Sequence, residues 1–155
     1  MRVLVKILAA LGVVFLGLVA VVAFLFRESS DFREEHELFI EQFLHSYSEH
    51  WEVADVHSHV ATEFLESLST PEGRQAIAIF RRLGRLRSIS DLKIGNFFAG
   101  TSGKRGDFSF KATFANSPAL VKLTLQEKDG SPRVLGLHIT PSSDLQPLEP
   151  AEAEI

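Results

Sequence analysis

Residues 107–114 read Asp107-Phe108-Ser109-Phe110-Lys111-Ala112-Thr113-Phe114, and an apolar side chain occupies every second position. In an extended chain successive side chains point to opposite faces, so this period of two describes a strand with one buried and one solvated face. The same alternation extends to both sides. Leu92, Ile94 and Phe98 alternate with Lys93, Gly95 and Phe97 ahead of it. Behind it, Val121, Leu123 and Leu125 alternate with Lys122, Thr124 and Gln126, and Leu135, Leu137 and Ile139 alternate with Gly136, His138 and Thr140. Thr101-Ser102-Gly103-Lys104-Arg105-Gly106, Asn116-Ser117-Pro118 and Asp129-Gly130 separate these runs with turn-forming residues. Four antiparallel strands sharing one apolar face are expected.

Upstream of Ser88 the apolar residues recur in steps of three and four, the spacing of amphipathic helix. Ser29, Ser30 and Asp31 form a helix start, with Asp31 and Glu34 at capping-box spacing. A stripe of Phe32, Phe39, Phe43, Tyr47, Trp51 and Ala54 predicts one long helix to about Trp51. Val60, Ala61, Phe64, Leu65 and Leu68 predict a second, from near Asp55 to Leu68. Thr70-Pro71-Glu72 opens a third, with threonine as N-cap and proline in the first turn, and a stripe of Ala76, Ile79, Phe80, Leu83 and Leu86. Three helices covering one face of a four-stranded meander make an α+β domain.

Residues 7–26 carry no charge and no proline. As a helix they would span roughly 30 Å, the thickness of a bilayer's hydrocarbon core. Arg2 and Lys6 precede the run, and Arg27 is followed by Glu28, Asp31, Glu34, Glu35 and Glu37. The positive-inside rule then places the N-terminus in the cytoplasm and the domain outside, periplasmic if the membrane is a bacterial inner membrane. Val21-Val22-Ala23 offers a signal-peptidase site, but the run exceeds the ~7–15 residues of a signal-peptide core, which favours a retained single-pass anchor. Both alternatives export the domain. The chain therefore divides into 1–27, cytoplasmic terminus and transmembrane helix; 28–140, the α+β domain; and 141–155, an acidic tail with three prolines and no apolar period, read as disordered.

Charge is segregated along the chain. Residues 28–72 hold twelve acids against one base, Arg33, and residues 73–133 hold twelve bases against four acids. Attraction between an acidic helical half and a basic sheet half accounts for this within one fold. Nucleic acid is not expected as a partner: the basic run Arg81-Arg82-Leu83-Gly84-Arg85-Leu86-Arg87 has no interleaved aromatics for base stacking.

The order of elements, Leu83-Gly84-Arg85-Leu86 leading into the first strand, and the turn Phe114-Ala115-Asn116-Ser117-Pro118 resemble the nuclear-transport-factor-2-like and cystatin-like group over about residues 32–140. The resemblance implies a curved sheet wrapped around the helices as a cone able to hold a ligand. It further resembles uncharacterised bacterial proteins with one membrane helix and a small exported domain. Fold by itself transfers no activity.

No catalytic, cofactor or metal constellation emerges. The chain has no cysteine, which removes thiolate metal sites and a cysteine nucleophile. Asp55-Val56-His57-Ser58-His59-Val60 resembles the metal strand of amidohydrolases, but that architecture needs eight strand–helix units and later ligands, and only His138 follows. Read as helix, residues two apart face different directions and cannot share an ion. Of the first-helix histidines, His36 falls on the apolar stripe and His45 off it, with His50 near the end. Gly100-Thr101-Ser102-Gly103-Lys104-Arg105 lacks the spacing and following helix of a phosphate loop, and Arg105-Gly106-Asp107 is a chance-level tripeptide in a hairpin loop. Among inward strand positions only Asn96 is polar; an acid could enter the interior only from a helix, as Glu63 or Glu66.

Two functions are consistent with this. One is an anchored binding or scaffold module with no chemistry of its own, meeting an envelope protein and leaving room for a homodimer. The other is a small-ligand binder or weak enzyme whose pocket would be lined by Tyr47, Trp51, Asn96, Phe108 and Phe110.

Overall fold

The computed structural model describes residues 2–142. Helix α1 (Arg2–His50) is followed by two single 3-10 turns (Val53–Asp55 and His57–His59), α2 (Thr62–Ser69) and α3 (Pro71–Leu83). The strands are β1 (Leu86–Gly100), β2 (Gly103–Phe114), β3 (Pro118–Lys128) and β4 (Ser131–Pro141). They form one antiparallel meander in the order β1-β2-β3-β4. The expected tail, 141–155, lies outside the described residues except for Pro141, which closes β4, and Ser142, whose N–H donates to Pro118 O at 3.0 Å.

The apolar segment and the first domain helix are one continuous rod, not two helices separated at Ser29–Asp31. No glycine or proline lies between Gly17 and Pro71, so nothing breaks the ladder of backbone bonds. Ser29 Oγ donates back to Phe26 O at 2.9 Å as an interior helical serine does. At ~1.5 Å per residue the rod is roughly 73 Å long. Among its described side chains the N-terminal part has large apolar groups exposed, from Val13 to Phe26. That part is long and apolar enough to cross a membrane. The C-terminal part buries Phe32, His36, Ile40, Phe43, Leu44 and Tyr47 against the sheet, with Phe39 only half-buried.

Trp51 ends α1 in the left-handed region (φ 56°), its N–H still bonded to Tyr47 O at 2.7 Å. The predicted helix from Asp55 is shorter than expected and starts at Thr62. The reason is tertiary. Val60 is extended and bridges Val134 in parallel, and Ala61 N–H donates to Val134 O at 2.9 Å. A helical Val60 could not make this pairing, which also covers part of the β4 edge. The cap of α3 is as expected: Thr70 Oγ1 accepts from Gly73 N–H at 3.0 Å with Pro71 in the first turn. Within α3, Ile79 is exposed and Leu86 belongs to β1.

β2 and β3 alternate as predicted, burying Phe108, Phe110, Ala112 and Phe114, and Val121, Leu123 and Leu125. β1 and β4 do not. Register shifts in β1 between Ser90 and Lys93 and between Ile94 and Phe97 turn Phe97 inward and leave Phe98 exposed. Asp91 sits at the first shift with φ 55°, and Lys111 beside it holds its carboxyl below the usual carboxylate range. In β4 a shift opposite Thr124 and Leu125 puts Val134, not Leu135, in the core. A bulge adds one residue and inverts the faces beyond it, which simple alternation cannot register.

Gly84 and Gly106 are two of the glycines where a side chain would meet a neighbour. Gly84 ends α3 with φ 77°, and a side chain there would meet the turn at Ala115 and Asn116. In that turn Asn116 N–H donates to Leu83 O (3.0 Å), Asn116 Nδ2 to Arg82 O (2.8 Å) and Ala115 N–H to Arg85 O (2.8 Å). The two stretches that carry the fold resemblance therefore touch, the second satisfying end carbonyls of the first. Gly106 lets α1 approach the sheet: a Cβ there would lie 2.9 Å from the Phe32 ring. Gly106→Val is expected to destabilise the domain by about 1–3 kcal/mol by overpacking. Thermal unfolding followed by circular dichroism checks this, and an unchanged midpoint would show that α1 can stand off the sheet at no cost.

Candidate functional site

The interior between α1 and the sheet is filled by rings. Tyr47 stands edge-on to Trp51 (centroids 5.2 Å) and to Phe64 (6.4 Å), and Trp51 packs on Phe80 (5.3 Å) and Phe114 (5.7 Å). Nearer the apolar half of α1, Phe32 stacks on Phe108 at 5.9 Å. Tyr47, Trp51, Phe108 and Phe110 are all buried in the core cluster between the helices and the sheet. Asn96 is placed apart from them. It is exposed on the opposite face of the sheet because the β1 register shifts rotate it outward. There Asn96 Nδ2 donates to Asp107 Oδ2 (3.1 Å) and Thr124 Oγ1 to Asp107 Oδ1 (2.9 Å), tying three strands together. Of the five, Asn96 and Phe108 border one open cleft of about 460 Å³ on this polar face. Asp107 and Gly106 lie within β2, so the tripeptide Arg105-Gly106-Asp107 is strand and not loop.

The interior does hold polar groups, and they come from α1. Tyr47 Oη is buried with no hydrogen-bond partner among the described residues. Burial pushes its ionisation up to about 12, partly opposed by the positive charge of Arg81. Because the unfolded chain ionises near 10, it loses the phenolic proton first. The part of the folding stability linked to a protonated Tyr47 is therefore fully present below pH ~10 and is lost as pH rises toward 12. Ultraviolet titration of the single tyrosine is expected to show a phenolate midpoint near 12 that coincides with unfolding. A midpoint near 10 in a folded domain would contradict it. Tyr47→Phe, which removes the unpaired hydroxyl, is expected to gain about 1 kcal/mol.

His36 is buried, and its ring joins two elements. Nδ1 lies 2.8 Å from Phe32 O, and Nε2 lies 2.6 Å from Glu127 Oε2, at the far end of β3. Both ring nitrogens are engaged, one by the backbone of α1 and the other by a carboxyl group of the sheet. Glu35, His36 and Glu127 bring potential ligand atoms within 4.8 Å of one another. The 2.6 Å contact is a hydrogen-bond distance, too close for two ligands held ~2.0–2.2 Å from one tetrahedral zinc. His36 was legible as a histidine on an apolar stripe. Glu127 was not, since its pairing depends on how β3 returns beneath α1.

The two-histidine string lies on the exposed 3-10 turn and not in a helix. His57 and His59 are exposed, Ser58 Oγ meets His59 Nδ1 at 3.1 Å, and Asp55 pairs with His50 at 2.9 Å. Glu63 and Glu66 also face outward on α2. Beside the string is an open groove of about 520 Å³ between Leu38, Phe39, Gln42 and His45 of α1 and Val56 and His59 of the turn. Leu38, 63% exposed, is its apolar rim, and the Phe39 ring lies tilted against His59 with centroids 5.7 Å apart. The chain matches no protein-family model and no curated protein sequence.

Proposed function

We propose that the protein is a single-pass membrane-anchored binding or scaffold module with no chemistry of its own. Its exported domain would belong with the nuclear-transport-factor-2-like and cystatin-like architectures. The observation that carries this reading is the unbroken α1, which runs from an apolar segment of membrane-spanning length into the domain core. A rigid mount suits a part that presents a surface at a fixed distance from the bilayer. The filled aromatic interior supports the same reading over a ligand-holding cone. In it the N-terminus is cytoplasmic, on the lysine and arginine placement, and the domain is periplasmic or otherwise extracytoplasmic. The partner is an envelope protein that seats an apolar side chain in the groove at Leu38, Phe39 and Val56.

Topology reporters joined after residue 142 test the placement: an exported phosphatase is expected to be active and a cytoplasm-only fluorophore dark. A photo-crosslinker at Leu38 tests the surface. It is expected to capture one recurrent envelope protein that a crosslinker at Leu120, on the polar face of the sheet, does not. Equal capture at the two positions would sink the partner assignment.

A further inference from the structure

The β1–β2 hairpin points back along α1 toward the apolar segment. β1 begins beside the far end of the helix, where Leu86 N–H donates to Ser48 Oγ at 2.9 Å. Farther along, Phe97 packs on Phe32 at 5.3 Å. Phe97 and Gly95 then enclose an apolar cleft of about 260 Å³ with Val22, Phe26 and Ser29. Strand and helix thus run antiparallel, and the three residues after Phe97 carry the turn ~10 Å further in the same direction. Val22 and Phe26 lie in the last turns of the 7–26 run. The tip therefore sits where the helix would leave the hydrocarbon.

The tip's chemistry fits that level. Phe98 is 62% exposed, and its ring lies along the strand over Gly100, whose Cβ, if present, would be 2.8 Å from it. Residues 97–106 contain two bases, Lys104 and Arg105, and no acid. Arg105 is opposite Phe98 in the ladder and exposed; Lys104 is half-exposed and within 3.8 Å of Glu28. An exposed ring beside cationic groups is the composition of a bilayer's interfacial layer, where aromatic side chains sit at headgroup depth and lysine and arginine meet phosphates.

We propose that the β1–β2 hairpin tip is a lipid-docking element, with Phe98 in the outer interface of the same bilayer that holds α1 and Arg105 and Lys104 against its phosphate headgroups. This makes a second attachment beside the span, which would fix the rotation of the domain about α1. It rests on the reading that residues 7–26 lie in a bilayer.

The test uses the full chain in vesicles of phosphatidylethanolamine and phosphatidylglycerol, with and without bromine on the acyl chains. Trp51, ~37 Å along the helix from Phe26, stays as an internal unquenched reference. Phe98→Trp, Leu120→Trp and Phe15→Trp each add one indole, at the tip, at the distal sheet and in the span. Circular dichroism confirms that each variant keeps the fold. The indole added by Phe98→Trp is expected to emit at least about twofold more weakly in brominated vesicles, with a blue-shifted maximum, while that of Leu120→Trp is unchanged. Combining it with Arg105→Gln is expected to reduce the quenching about twofold. Quenching at position 15 but not at 98 overturns the proposal and leaves the anchor standing. No quenching at 15 overturns the anchor and this proposal with it. A blue shift at 98 that follows protein concentration and ignores bromine assigns the tip to a second copy and overturns the lipid assignment.

Discussion

Trp51→Ala lowers the unfolding free energy by about 3–5 kcal/mol, the usual cost of removing a large aromatic from a packed core. The site has little means of collapsing. The indole is enclosed by Tyr47, Phe80 and Phe114, which belong to α1, α3 and β2, and Nε1–H donates to Gly84 O at 3.3 Å. Three elements and the turn after α3 would lose their common contact. For a domain of this size the midpoint should fall by roughly 10–20 °C. Trp51→Phe keeps the ring contacts and loses the N–H bond, so its loss should be clearly smaller. Thermal unfolding of both variants by far-ultraviolet circular dichroism checks the order. Equal losses would assign the effect to the hydrogen bond and remove the packing account.

Removing one member of the His36–Glu127 pair is expected to cost about 1–3 kcal/mol, since the partner's buried polar atom is left without its hydrogen bond. Glu127→Leu strands a buried imidazole between one acceptor and an apolar neighbour. His36→Leu leaves a largely covered carboxylate next to Glu35. The double replacement, His36→Leu with Glu127→Leu, should recover most of the loss, because two well-packed apolar groups can substitute for a buried pair. Denaturant unfolding of the four proteins gives the coupling directly. Strict additivity of the single losses would mean that the 2.6 Å contact contributes nothing.

The elements legible in the sequence were those whose pattern is local. β2 and β3 alternate cleanly, and their buried and exposed sides follow residue by residue. Thr70 and Pro71 mark the start of α3 because capping is settled within one turn. The elements that differed depend on distant partners. Asp31 and Glu34 carry a cap pattern, yet capping requires the chain to leave the helix, and nothing in 18–70 makes it do so. Val60 gives up helix for pairing with Val134, which is 74 positions away. Phe97 and Phe98 exchange faces, and Asn96 turns outward, through bulges that alternation does not encode. The candidate site divides the same way. The burial of Tyr47, Trp51, Phe108 and Phe110 follows from their stripes, whereas whether such rings line a hollow or fill it is decided by how closely α1 meets the sheet at Gly106.

The unbroken α1 has a mechanical consequence. Helices that span bilayers tilt by ~20° on average and adjust that tilt to bilayer thickness. Between Phe26 and His50 the rod extends ~36 Å beyond the apolar run. A lever of that length converts a 20° tilt into a sideways sweep of roughly 12 Å at its far end, where Trp51 holds α3 and β2. A flexible linker would absorb such a movement. If the apolar end is held in a bilayer, as proposed, this stalk transmits it, and the lateral position of the distal surface becomes a readout of that bilayer.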